Sequence, residues 1–165
     1  MVVGNTEEAK SLAQNWMNDA GFFQKDIVPS PANLNFLLQG EGPTKIPFLV
    51  TQSSESKTKS IAVIVNVNIT EFSYKSLCEM SEDAREDFIW NLKEELIFAP
   101  ANFLFVDDED TGVLRRAQFS KEIYFDELSE GRLAEVVDYT TRSALRLIWT
   151  FRKKFGPLPE AKPNE

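Results

Sequence analysis

Ile61-Ala62-Val63-Ile64-Val65-Asn66-Val67-Asn68-Ile69 is the longest run of period-two hydrophobicity in the chain. Successive side chains on a strand point to opposite faces, so Ile61, Val63, Val65, Val67 and Ile69 share one face, and the pattern predicts a β-strand. Val and Ile dominate the run, and β-branched side chains suit a pleated surface. Ala62 and Ile64 are apolar on the second face too. That predicts a strand in the interior of a sheet.

Upstream, Ser53-Ser54-Glu55-Ser56-Lys57-Thr58-Lys59-Ser60 has no apolar anchor and reads as a polar turn. Leu34, Phe36 and Leu38 alternate with Asn33, Asn35 and Gln39; Ile46, Phe48 and Val50 repeat the pattern after Gly40-Glu41-Gly42-Pro43, which predicts a hairpin. Further back, Asn5 and Glu8 form an N-cap pair, in which each side chain satisfies an amide left over at a helix start. Ala9, Leu12, Ala13, Trp16 and Met17 follow at spacings of three and four, and Gly21 can take the left-handed position after the last turn. An amphipathic helix over residues 6–20 is expected.

Downstream, Ser81 caps a second helix whose first turn holds Glu82 and Asp83, favoured by the positive end of the helix dipole. Its buried stripe is read as Ala84, Phe88, Leu92 and Leu96, and Pro100 blocks a long extension. Phe103 and Phe105 alternate into the acidic turn 107–112, and Val113, Ala117, Phe119, Ile123 and Phe125 mark a returning strand. A last helix covers residues 129–154 with Leu133, Val137, Thr140, Ala144, Leu147 and Phe151 at helical spacing, and Gly156 ends it. The expected order is α-β-β-β-α-β-β-α, an α+β fold with a five-stranded, largely antiparallel sheet. Residues 1–155 are expected to form one domain, and 156–165, with three Pro, a disordered C-terminal tail.

This order of elements resembles the type III secretion chaperone-like fold. The pieces Trp16–Gly21, Leu34–Leu38, Ile61–Ile69 and Phe88–Leu96 are similar to a prokaryotic, largely archaeal family of unknown function with that fold. The resemblance implies a homodimer that binds other polypeptides or has no assigned activity, and it carries no catalytic residue onto this chain.

Composition narrows the chemistry. The chain has 165 residues and 18.8 kDa, which suits a single domain, and it contains no His. Triads of the Ser-His-Asp or Cys-His kind and His-containing zinc sites are thereby excluded. Cys78 is the one cysteine, so no internal disulfide or multi-cysteine metal site can form. A net charge of −8 opposes general attraction to nucleic acid and to anionic membranes. No apolar run is long enough for a signal peptide core or a membrane span, so a cytoplasmic protein is expected. Without export, the sequon Asn68-Ile69-Thr70 has no consequence.

Several motifs have a plain structural reading. Gly40-Glu41-Gly42-Pro43-Thr44-Lys45 precedes a strand, and Pro43 lacks an amide, so it suits a hairpin turn better than a phosphate loop. Asp107-Asp108-Glu109-Asp110 lacks the alternating ligands of a Ca²⁺ loop and reads as a solvated turn. Asp87, Glu94 and Glu95 read as a wet helix face. Phe22, Phe23 and Phe98 could line a hydrophobic pocket, but burial under the sheet is the plainer reading, and Cys78 reads as a small packed residue rather than a reactive thiol. No catalytic residue, metal or cofactor is assigned.

Charge segregation supplies the one candidate surface. From Arg132 to Phe155 there are six basic and two acidic side chains, a local +4 that leaves −12 for the rest of the chain. Arg142, Arg146, Trp149 and Lys153 follow steps of four, three and four, which sets them on one stripe beside the apolar one. Arg and Trp are favoured at contacts because a planar cation and a broad ring supply paired hydrogen bonds and large area with few torsions. The functional reading is a contact surface for an acidic segment of a protein or peptide partner, or of an identical subunit. The plainer reading is that Trp149 packs internally while the cations complement the helix C-terminus. A small-ligand-binding protein, or a carboxylate and Mg²⁺-dependent enzyme, is the alternative function. Nucleic-acid binding through the same helix is disfavoured by the surrounding charge.

Overall fold

The computed structural model describes residues 2–158. In chain order its elements are α1 (Thr6–Asp19), β1 (Phe23–Asp26), β2 (Leu34–Glu41), β3 (Pro47–Ser53), β4 (Ser60–Asn68), α2 (Glu71–Glu79), α3 (Glu82–Leu96), β5 (Asn102–Asp107), β6 (Leu114–Tyr124) and α4 (Glu130–Phe155). All neighbouring strands run antiparallel, in the order β1-β2-β3-β4-β6-β5. β4 lies between β3 and β6, as its two apolar faces predict.

Two elements correct the expected order. The sheet has six strands rather than five, because Phe23-Gln24-Lys25-Asp26 pairs with β2 through Lys25↔Gln39 and Asp26↔Leu38. A four-residue edge strand with Phe23 as its one apolar residue has too few apolar positions to make a period. The helices number four rather than three, since Thr70 caps α2 by accepting from the Ser73 amide at 3.2 Å. Only Ser73 and Leu77 are buried on α2, so it too offers little periodicity.

One face of the sheet forms the floor of the core. Across β4 and β6, Ile61 faces Ile123 and Val65 faces Phe119, and all four are buried. Phe48 and Val50 of β3 and Phe36 and Leu38 of β2 extend the floor. α4 covers it with Leu133, Val136, Val137, Ala144, Leu147 and Phe151, and α1 adds Ala9, Ala13 and Met17. α1, α2 and α3 all pack on α4, so the helices form a single layer on one side. The other face of the sheet carries the alternate residues Leu37, Leu49 and Ile64, each half-buried.

α3 is capped by the Ser81 hydroxyl as expected and buries Leu92 and Leu96, with Phe88 half-buried. Ala84, expected on the same stripe, is exposed, because only the later turns of α3 reach the core. Gly40 is closely enclosed: a Cβ there would lie 2.6 Å from Met17 Cε, 2.8 Å from Phe48 Cζ and 2.9 Å from the Phe22 carbonyl oxygen, so any other residue forces its neighbours to move. Gly156 ends α4 at φ +84°, its amide donating to the Arg152 carbonyl at 2.8 Å. Most of the expected tail lies outside the described residues.

Candidate functional site

α4 is 26 residues long and buries one side, so its remaining side chains must meet solvent or other elements. The polar residues on its inner side satisfy themselves. The Thr140 and Thr141 hydroxyls donate to the carbonyls of Val136 and Val137 at 2.7 and 2.8 Å, leaving no buried demand for a ligand. Arg142, Arg146, Trp149 and Lys153 all emerge exposed on the outer side.

Two grooves flank that outer side. The first, about 830 Å³, runs between α4 and the elements around α1 and the β2–β3 turn; Trp16, Phe22, Pro43 and Leu145 line it, with Arg142 and Arg146 at its lip. Its apolar wall is a packed unit, since Trp16 meets Phe22 edge-on at 5.6 Å and lies 6.5 Å from Phe48. Gly40 permits that unit to close on the sheet. The second groove, about 480 Å³, lies between α3 and α4, with Phe88 and Leu92 inside and Glu95, Lys153 and Lys154 around it. Phe88 is fixed there by Phe151 and Phe155, at 5.3 and 5.6 Å between ring centroids, and the Lys154 ammonium lies 5.7 Å from its ring.

Arg146 and Trp149 border both grooves. Trp149 is 61% exposed, which overturns the reading that it packs internally: the neighbouring helices stand apart on either side of it and leave the indole as a ridge. The companion idea holds in part, because Arg152, Lys153 and Lys154 do occupy the last turn, where the helix dipole favours cations. Arg142 is tied to Asp138 at 3.0 Å on its own helix, and Arg146 reaches across to Glu95 of α3 at 3.3 Å. Among the described residues Lys153 forms no ion pair. The stripe is thus brought together as predicted, with its charges only partly neutralised.

Of the residues that shape the walls, the sequence pointed only to Phe22, whose pocket-lining alternative is the one the structure supports; Trp16 read as ordinary core, and Phe88 as the stripe of α3. Trp90 was not singled out at all, yet it is 63% exposed on α3, its indole N–H donating to Glu94 at 2.7 Å. Two burial expectations fail. Phe98 is 91% exposed, because it falls in the bend after α3 rather than under the sheet, while Phe22 and Phe23 are half-buried. Cys78 is exposed rather than packed, because the unforeseen helix α2 turns it outward while Leu77 takes the buried position.

The acidic turn is held by its own carboxylate. Asp108 accepts from the Asp110 and Thr111 amides at 3.0 Å each and from the Thr111 hydroxyl at 3.2 Å. The Thr111 amide is the main reason its acidity is raised, holding the carboxyl below its ordinary range. The Tyr74 and Thr111 hydroxyls lie 2.7 Å apart, and Arg115 stacks 4.3 Å over the Tyr74 ring while pairing with Glu71 at 2.9 Å. That network ties α2 to the β5–β6 turn. Glu95 and Glu94 are engaged with Arg146 and Trp90, so the expected wet face is exposed but partly paired. Among the described residues no three Asp, Glu or Cys side chains gather to hold a metal ion, and no helix is long and apolar enough to cross a membrane.

The same architecture occurs in an uncharacterized protein from Methanothermobacter thermautotrophicus. The two chains superpose with a TM-score of 0.81 at 21% identity, covering 90% of this chain and 99% of that one, which establishes a shared fold. YbjN from E. coli aligns over 93% of both chains at 10% identity and a TM-score of 0.49, too distant to bear on function. No curated protein matches the sequence. A family model matches residues 9–151, from within α1 to the last turns of α4, and the chain belongs to that family, the uncharacterized conserved proteins DUF2299.

Proposed function

We propose that this chain is a non-enzymatic polypeptide-binding domain, and that an acidic segment carrying a large apolar residue crosses the Arg146–Trp149 ridge of α4. The observation that supports this most is an indole 61% exposed between an apolar groove and a mixed one, rimmed by Arg142, Arg146 and Lys153 in a chain of net charge −8. A broad ring beside guanidinium groups concentrates binding energy in few residues. Exposed cations draw acidic partners and repel basic ones. A chaperone-like role in the cytoplasm, holding such segments of other proteins, is the finer form of this reading.

A labelled acidic peptide with one aromatic residue provides the test, read by fluorescence anisotropy. Arg146→Glu combined with Trp149→Ala is expected to weaken binding at least tenfold, and rising salt should weaken it further as exposed charges are screened. Unchanged binding in the double variant rejects the ridge.

A second reading is favoured by the size of the first groove, about 830 Å³, within the roughly 300–1,000 Å³ of small-molecule sites. There a small anionic ligand would pack on Trp16 and Phe22 beneath Arg142. Lys153→Glu separates the two readings: it lies on the second groove alone, so it weakens a polypeptide that crosses the ridge and leaves a ligand in the first groove unaffected.

A further inference from the structure

The sheet ends in β1 and β5, and the two edges are built differently. β1 has four residues, exposed Gln24 and Lys25, a register irregularity, and Asp26 paired to Lys10 at 2.7 Å. Short length, charge and irregularity are the features that keep an edge from pairing with another chain. β5 has none of them along Asn102-Phe103-Leu104-Phe105-Val106. It contains no Pro, Gly or Lys, and pairs regularly with β6 from Asn102↔Ser120 to Val106↔Arg116, the only irregularity coming at Asp107. Its outer row of backbone amides and carbonyls meets no other strand among the described residues. Leu104 is 59% exposed, and Ile97 and Phe98, in the bend before β5, are exposed as well.

We propose that β5 is the seam of a two-fold homodimer, in which the strand pairs antiparallel with β5 of a second copy and the two sheets become one. The occupant follows from the register. Directly opposed residues of an antiparallel pair share a face, so a two-fold axis must be centred on a single residue opposite its own copy. Centred on Leu104, Leu104 meets Leu104, Phe103 meets Phe105 twice over, and Asn102 meets Val106. Aromatic and aliphatic cross-strand pairs of this kind stabilise a sheet. Centring on Phe105 sets Asp107 against Phe103, and centring on Phe103 brings Pro100 into the ladder. Leu104 is the register in which the strand complements itself. The contact is isologous and closed, so it ends at two copies.

The seam contains no ion pair and joins two chains that each carry −8, so salt should strengthen it by screening their repulsion. That is the opposite sign from the peptide contact proposed on α4, so the two ideas fail separately. The full chain is expected to scatter light at twice 18.8 kDa at micromolar concentration, more completely as salt rises. Leu104→Lys, at an exposed position, should leave the circular dichroism of the folded subunit intact and weaken self-association at least tenfold. In a Cys78→Ser background, Leu104→Cys should oxidise to a covalent dimer, whereas Asn102→Cys should not, because residue 102 faces residue 106 of the other copy. A monomer at high micromolar concentration in high salt overturns the proposal. So does a dimer that survives Leu104→Lys, or one that cross-links equally through residue 102.

Discussion

Gly40→Ala adds one methyl group at the point where α1, β2 and β3 come closest, and its consequence can be worked from the distances. Carbon atoms pack best at about 3.5–4.0 Å, and the new Cβ would meet Met17 Cε at 2.6 Å and Phe48 Cζ at 2.8 Å. Those two groups end flexible side chains and can shift. The Phe22 carbonyl oxygen, at 2.9 Å, cannot shift as readily, because it accepts the Glu41 amide at 2.9 Å. Overpacking of a filled core costs roughly 1–3 kcal/mol, and a clash with pinned backbone belongs near the upper end. Replacing Gly by Ala returns about 0.4–1 kcal/mol through the unfolded chain. The net loss is about 2 kcal/mol, which for a chain of this size lowers the thermal midpoint by about 4–8 °C. Urea unfolding followed by the fluorescence of buried Trp16 measures it, with Gly131→Ala as the reference. No heavy atom lies within 4 Å of a Cβ on Gly131, in the first turn of α4, so that variant should be neutral or more stable by up to about 1 kcal/mol. Equal effects at the two glycines would refute the packing argument.

Other expectations concern single contacts. Phe88→Ala removes the ring that joins α3 to Phe151 and Phe155 and should cost about 2–3 kcal/mol, below the usual ~3–5 for a fully buried ring because Phe88 is half-buried; a urea midpoint shift worth under about 1 kcal/mol contradicts this. Lys10→Met strips the 2.7 Å partner from Asp26, whose Oδ1 already lacks one, at a cost of about 1–2 kcal/mol, less than for a fully buried pair because both side chains remain about a quarter exposed. A double-mutant cycle with Asp26→Asn should return a coupling of the same sign, and zero coupling rejects the pair as a stabilising contact. Asp108 has a folded pKa held below the ordinary carboxylate value by the Thr111 amide, so the order it gives the β5–β6 turn is fully present above the unfolded pKa and is lost as pH falls through the lower, folded one. Thr111 amide protection, measured against the intrinsic exchange rate at each pH, should therefore fall only below the ordinary carboxylate range, and a loss beginning at or above that range would falsify the assignment.

The parts of the fold that were legible are those where one element carries its own signal. Residues 61–69 alternate over a span long enough to fix both the strand and its interior place, and Asn5, Ser81 and Gly156 mark helix ends by local chemistry that needs no neighbour. β1 and α2 escaped notice because each is made by its surroundings. Lys25 belongs to a strand through the partner it finds in Gln39, and the stretch from Glu71 to Glu79 is helical while burying only two side chains. The stripe Arg142, Arg146, Trp149 and Lys153 was readable from helical spacing alone. Whether anything covered Trp149 was not, since that depends on how far α1 and α3 stand from α4, and the same distances turned Trp16 from anonymous core into the wall of a groove.

Arg146 never waits empty-handed. Glu95 holds its guanidinium at 3.3 Å, so the cation stays aimed along the ridge before any guest arrives. Under the proposed docking, an incoming carboxylate would take the two terminal nitrogens that Glu95 leaves open and share the cation with a resident acid, so the contact would add less than one to a bare guanidinium. A guest bearing a second acid for Lys153 would then be favoured over one without it.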